Sequence, residues 1–390
     1  MLNNQNCFVF AEEINEDLSS KIIPAEARDN FEETFKSFND LESFLNKRED
    51  NSEWSSLEIE NFSIHSIAND NEWESENVIE PKVDPLWFRH TKNSGTKLVA
   101  ETSFDEYTPI CSTAIRTLQQ RAGLSGIVLD KLPKKDYQDI LNRCFPVMGG
   151  VGKTHTVWGK IHSVMSEKYV PMPMNTLFEM ADEAFSNSGV YDAEFVSAKY
   201  THDFTEAVWK TEKQSLLATY KNVLLAAGRT ANEVAASLVV QSSDTGLSAA
   251  RILPRLIVDG VTMVIGSPLE MEHKGEASLE KFGKMLIDCY AYYQATMDRF
   301  VELFDIPINN PVDCLMAAMK KVGISKKVTC DVAAEASSVV YGGATAFSAY
   351  DIYETVCETI ANTNNINLLE NAARLLTANW EDLDIKNFKW

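Results

Sequence analysis

Between Ala236 and Gly275 the chain reads ASLVVQSSDTGLSAARILPRLIVDGVTMVIGSPLEMEHKG, and this stretch restricts the fold more than any other. An apolar, β-branched run enters the polar turn Ser242-Ser243-Asp244-Thr245-Gly246. Two further apolar runs follow, separated by Asp259-Gly260, and the stretch closes on Glu272-His273-Lys274-Gly275. Short apolar runs bounded by Asp, Ser and Gly are strands, and strands joined by tight turns pair antiparallel. From Glu276 the period changes: Leu279, Phe282, Leu286, Cys289, Tyr293, Met297 and Phe300 recur at 3- and 4-residue steps, so a long amphipathic helix is predicted, ended by Pro307. Four more helical patterns follow, over 311–322, 326–340, 347–362 and 367–380.

Upstream, helices are predicted from Thr108 and from Lys134, with a short one over Asn175–Phe185. Strands are predicted around Val157–His162, over Val190–Tyr200 and from Phe204. The Lys213–Ala227 stretch reads equally as helix or strand. Strands followed by helices give an α+β fold: an antiparallel β-meander packed on a long helix, with a helical C-terminal part. The expected divisions are an acidic, largely irregular N-terminal extension (1–107), an α+β core (108–275) and a helical part packed on it (276–390). Within the extension, Phe31, Phe35, Phe38, Leu41 and Leu45 suggest one helix from about Pro24 to Asn46.

Charge divides the chain unevenly. Of the net −21, residues 1–100 carry −12 and the rest −9. Sparse aromatics in a polar, acidic segment suit a tail that folds only against a partner or covers a basic groove. No apolar run is long enough for a membrane span, and the first residues lack the basic and apolar regions of a secretory signal. A cytoplasmic protein is expected. The seven cysteines are scattered and never spaced C-x-x-C, which suits reduced thiols.

The chemical motifs are weak. Gly149-Gly150-Val151-Gly152-Lys153-Thr154 looks like the end of a phosphate-binding loop, but Val147 stands where the first glycine belongs, so a hairpin-like turn is the expectation. No histidine pair has helical metal spacing, and no cofactor is expected. Ser243, Asp244 and His273 could be drawn as a hydrolytic trio, but without a G-x-S-x-G elbow. The polar turn residues Ser243, Asp244, Thr245, Gly246, His273 and Lys274 have a structural reading as turn formers, and a functional one as a polar rim with Arg251 and Arg255. Lys131, Lys134, Lys135, Lys153, Lys160 and Lys168, interleaved with Trp158 and Tyr169, could form a single-strand track, lysines on phosphates and rings on bases.

The order of TAIRTLQQRAGL, GKIHSVMSEKYVPMPMNTLFE, SSDTGLSAARILPRLIVDG, MEHKG, TAFSAYDIYETVCETIANT and ARLLTANWEDLD resembles the phage/plasmid-like protein family, a domain of unknown function carried by bacteriophages and plasmids. The resemblance covers about residues 108–384. It implies a mobile-element setting among replication and recombination genes, with no catalytic residues to carry over. The meander and long helix also look like the core of ring-forming single-strand annealing proteins. The expectation is therefore a non-enzymatic, homo-oligomeric protein that binds, and anneals, single-stranded DNA. The alternative is a structural or protein-binding factor acting through its N-terminal extension.

Overall fold

The computed structural model describes residues 32–66, 98–103, 106–124, 129, 132, 134–341, 346–361 and 366–390. It is α+β, as the pattern predicts. The described residues begin with strand β1 (Glu32–Phe35), helix α1 (Phe38–Glu49), β2 (Ser52–Glu58) and β3 (Ser63–Ser66). After β4 (Leu98–Ser103) and β5 (Glu106–Pro109) come α2 (Ser112–Arg121) and α3 (Lys134–Met148). A hairpin, β6 (Val151–Val157) and β7 (Lys160–Ser166), then leads to α4 (Met174–Asp182), which runs into a π-turn over Glu183–Asn187.

The largest sheet begins with β8 (Glu194–Thr201) and β9 (Thr205–Thr211). Helix α5 (Gln214–Ala226) resolves the ambiguous stretch. The meander follows as β10 (Val234–Ser242), β11 (Ala250–Val258), β12 (Val261–Val264) and β13 (Leu269–Met271). The sheet runs β1-β8-β9-β10-β11-β12, antiparallel throughout, with β13 also on β11. The predicted long helix is α6 (Leu279–Val301), capped by the Ser278 side chain accepting from the Lys281 amide. Its side chains Phe282, Leu286, Tyr293, Met297 and Phe300 meet Ala236, Leu238, Val240, Ile252 and Leu256 of the sheet in one large core. Helices α7 (Pro311–Val322), α8 (Lys326–Tyr341), α9 (Ala349–Ala361) and α10 (Ile366–Ala373) complete the C-terminal part. Among the described residues no helix is long and apolar enough to cross a membrane.

A second, smaller core lies beside the first. Ile59, Phe62, Ile64, Ile115, Leu118, Tyr137, Leu141, Phe145, Ile161 and Val164 pack together under the sheets β2-β6-β7 and β3-β4-β5.

The structure revises the N-terminal boundary. Residues 32–66 are part of the body, not an irregular extension. β1 extends the large sheet at β8, α1 buries Leu41 and Leu45 in the large core, and β2 pairs with β6 along seven residues. The predicted helix from Pro24 starts instead at Phe38, where the Ser37 side chain accepts from the Asp40 amide as an N-cap. Residues 1–31 and 67–97, with Trp73 and Trp87, lie outside the described residues.

The glycine-rich stretch also differs from expectation. Gly149 and Gly150, at φ 55° and 75°, carry the chain from the end of α3 into β6. The hairpin turn comes later, at Trp158-Gly159, and splits the expected single strand into β6 and β7. The six described cysteines are free thiols.

Candidate functional site

The two cores meet at a polar seam built around the turn after β10. Within it the Ser243 and Thr245 hydroxyls bond at 2.8 Å and the Thr245 amide donates to Ser243 Oγ. Gly246 is at φ 71°, the left-handed conformation that favours glycine, and a Cβ there would have to push aside the flexible tip of Met165. This turn directs Asp244 inward. Its Oδ2 lies 2.6 Å from Arg48 Nη1, contributed by α1, and 3.6 Å from His155 Nδ1, contributed by β6. Arg48 is 1% exposed, and its Nε donates to the Tyr200 hydroxyl at 3.0 Å.

Charge in the seam follows from this pairing. Burial disfavours the Asp244 carboxylate, but the Arg48 guanidinium and His155 more than offset it and hold Asp244 below its usual range. Burial likewise disfavours charged Arg48, and Asp244 with the Tyr200 phenol reverses the effect, raising it. The imidazoles lack such compensation. Burial pushes His155 down to about 4, against the pull of Asp244. Burial, with His202 and Arg48 nearby, holds His162 well below 6.5, and burial lowers His273 as well.

A run of near-parallel rings crosses the seam. Trp54 on β2 stacks on His155, its cross-strand partner, at 4.3 Å and 6°. Trp54 also lies 5.2 Å from Tyr169 at 23°, and Tyr169 lies 5.3 Å from His273 at 9°. His155, Tyr169 and His273 are buried, whereas Trp54, which contacts both His155 and Tyr169, is partly exposed, so the run reaches the surface at Trp54. Three lysines attend it. Lys153 Nζ donates to the Tyr169 carbonyl at 2.7 Å, Lys168 is exposed next to Tyr169, and Lys274 bridges to Tyr169 through backbone and pairs with Glu272.

Deeper in, His162 and His202 meet edge to face at 5.0 Å, and Ser242 Oγ lies 3.3 Å from His273 Nε2. Both ring nitrogens of His155 and of His162, Arg48 Nη2 and Thr205 Oγ1 have no hydrogen-bond partner in the protein. Native structures leave few such atoms, and most of those in the described residues lie in or beside the seam, with Thr329 Oγ1 and Trp380 Nε1 elsewhere. No three His, Cys, Asp or Glu side chains among the described residues converge as metal ligands.

The residues singled out from sequence separate into three groups. Ser243, Asp244, Thr245 and His273 do come together, but inside the protein and not as a rim, and Gly246 and Lys274 stand exposed beside them. The drawn trio does not form: Ser243 bonds to Thr245, and the serine near His273 is the fully buried Ser242.

The continuous basic track is not assembled. Trp158 is buried in the large core at the hairpin turn, Lys160 is 2% exposed, and Tyr169 is covered by Trp54 and His273. Lys131 lies outside the described residues, as do the side chains of Lys134 and Lys135 at the start of α3. Arg251 and Arg255 share the face of β11 turned away from the large core. Arg251 pairs with Glu270 at 3.2 Å, and burial lowers Arg255 while Glu206 pulls it up. Sequence reasoning missed Arg48, Trp54 and His155. The pattern around Trp54, a tryptophan in SEWSSLE with alternate polar residues, is the signal that could have marked an edge strand.

Comparisons with protein-family models, with curated proteins and with solved structures find no match. What the fold and site define is an α+β protein with two cores and a buried polar seam that surfaces at one tryptophan.

Proposed function

We propose that this protein binds single-stranded nucleic acid at the surface end of the seam, as a homo-oligomer in a phage or plasmid setting. The observation that carries this reading is Trp54, a half-exposed ring backed by His155 and Tyr169, with Lys153, Lys168 and Lys274 around it. The exposed part of that ring is a surface on which any base stacks, and flanking lysines meet the backbone on either side. Trp54 thus takes the role that sequence assigned to Trp158 and Tyr169, and the contact set shrinks to one local patch. A net charge of −21 opposes a polyanion elsewhere on the surface, so short strands bind at one place and long ones gain little. Function through a protein partner of the N-terminal extension narrows to residues 1–31 and 67–97, since 32–66 are built into the body.

The test is fluorescence anisotropy with a labelled oligothymidylate and the full chain, at two salt concentrations. A chain beginning at Thr108 would lack Arg48 and Trp54 and is unsuitable. Trp54→Ala should weaken binding about tenfold, the order expected for losing one stacked base. Lys168→Gln and Lys274→Gln should each weaken it less and lower the salt slope by about one. Absence of binding at low salt, or binding indifferent to Trp54→Ala, rejects the reading.

A further inference from the structure

Away from the seam, α4, its π-turn and α6 enclose a cavity of about 570 Å³. Its walls are Met180, Ala184, Tyr191 and Leu286, and the single polar tip among them is used: the Tyr191 hydroxyl donates to the Leu286 carbonyl at 3.3 Å. Gly283 on α6 opens this space. A Cβ there would lie 3.0 Å from Met180 Cε, so the glycine lets the helices approach while leaving a trough between them. Towards its mouth the apolar lining continues onto Ile287, 77% exposed, and Val190, 44% exposed. The mouth carries Glu179 and Glu183, one helical turn apart and both exposed, and neither pairs with a cation among the described residues.

We infer that this trough is a docking site for a basic amphipathic helix from a partner protein, with a large apolar side chain in the cavity and Lys or Arg over Glu179 and Glu183. The apolar lining runs from the buried Tyr191 and Leu286 out to the largely exposed Ile287 at the mouth, so a small molecule seated against the buried wall would leave most of Ile287 bare. A helix covers both, because its i, i+3 and i+4 side chains reach along a groove between two helices. The two carboxylates match cations at helical spacing. A second copy in a two-fold contact would set these glutamates against their own equivalents, which like charges disfavour. The π-turn in one wall is of a kind often found beside functional sites.

The test uses a fluorescein-labelled leucine–lysine peptide with leucines at i, i+3, i+4 and i+7, read by anisotropy against the full chain. The controls are the same composition scrambled and a leucine–glutamate version. Ile287→Glu is the deciding variant. It adds negative charge, so non-specific adhesion of a basic peptide would strengthen, whereas seating of an apolar face would weaken about tenfold or more. Glu183→Lys should weaken binding by a smaller factor and leave circular dichroism unchanged. Equal binding of the scrambled peptide, unchanged or tighter binding by Ile287→Glu, or displacement by phenethylamine as effective as by unlabelled peptide would each overturn the assignment. So would self-association in sedimentation that Ile287→Glu abolishes.

Discussion

The large core and the seam bury polar-tipped side chains on opposite terms. In the core most polar ends are answered: Trp209 Nε1 donates to Asp182 at 2.8 Å, the Tyr293 hydroxyl donates to the Arg255 carbonyl at 3.0 Å, and the Tyr220 and Tyr350 hydroxyls meet at 2.7 Å, with Trp380 Nε1 left over. In the seam Arg48 and Asp244 answer each other, but His155 and His162 leave both ring nitrogens without a hydrogen bond from the protein. Each such atom costs on the order of 1–3 kcal/mol. The core is therefore organised for stability, while the seam gives stability up where an N-terminal segment meets the middle of the chain. Local conflicts of this kind are expected at functional places and are offset elsewhere in the fold.

That contrast can be broken at its strongest point first. Arg48→Met leaves the Asp244 carboxylate buried without its partner and should cost about 3–5 kcal/mol in urea denaturation, with part returned by adding Asp244→Leu. A loss below about 1 kcal/mol would show that the pair is well hydrated and remove the distinction.

Acid comes next. His155 has a folded value of about 4, below its unfolded 6.5, so as pH falls the unfolded chain takes up the proton first. Stability present above 6.5 should fall steadily toward pH 4, by about 3 kcal/mol from this residue. His162 and His273 are lowered in the same sense, and Asp244 extends the loss further into acid. His155→Gln should flatten the profile; a melting temperature equally steep in pH for that variant contradicts the assignment.

Two smaller substitutions sharpen the comparison. Tyr293→Phe deletes an answered hydroxyl in the core and should cost about 1 kcal/mol. His162→Leu deletes an unanswered imidazole in the seam and should leave stability within about 1 kcal/mol of the parent, in either direction. A cost well above that for His162→Leu would mean that the ring holds a bound partner.

The fold was largely legible and the site only in part, for physical reasons that particular residues show. The meander and α6 announce themselves because their periods are local and their apolar faces continuous, from Val239 through Ile257 to Phe300. The Asp244 turn was visible as turn chemistry, Ser and Thr around a glycine. What it points at was not visible, because Arg48 reaches it from α1 by tertiary packing alone. β1 has only four residues and β2 exposes Glu53 and Ser55 on its free side, so edge strands like these carry half the usual hydrophobic pattern. Lysines 153, 160 and 168 looked alike in sequence, yet Lys153 on β6 is half-buried, Lys160 at the start of β7 is buried, and Lys168 in the turn after β7 is exposed, a difference set by where the fold places each.

The placement of β1 and β2 has a consequence for how the chain is made. Among the described residues both pair only with strands that leave the ribosome later, β1 with β8 and β2 with β6. The segment from Glu32 to Glu58 is thus synthesised early and seated late, a long-range closure of the kind that slows folding. Until it docks, two sheet edges stand open to pairing with other chains. The Arg48–Asp244 pair then works as a latch at the end of assembly, and a nascent chain stalled before Asp244 has every part of the latch but its catch.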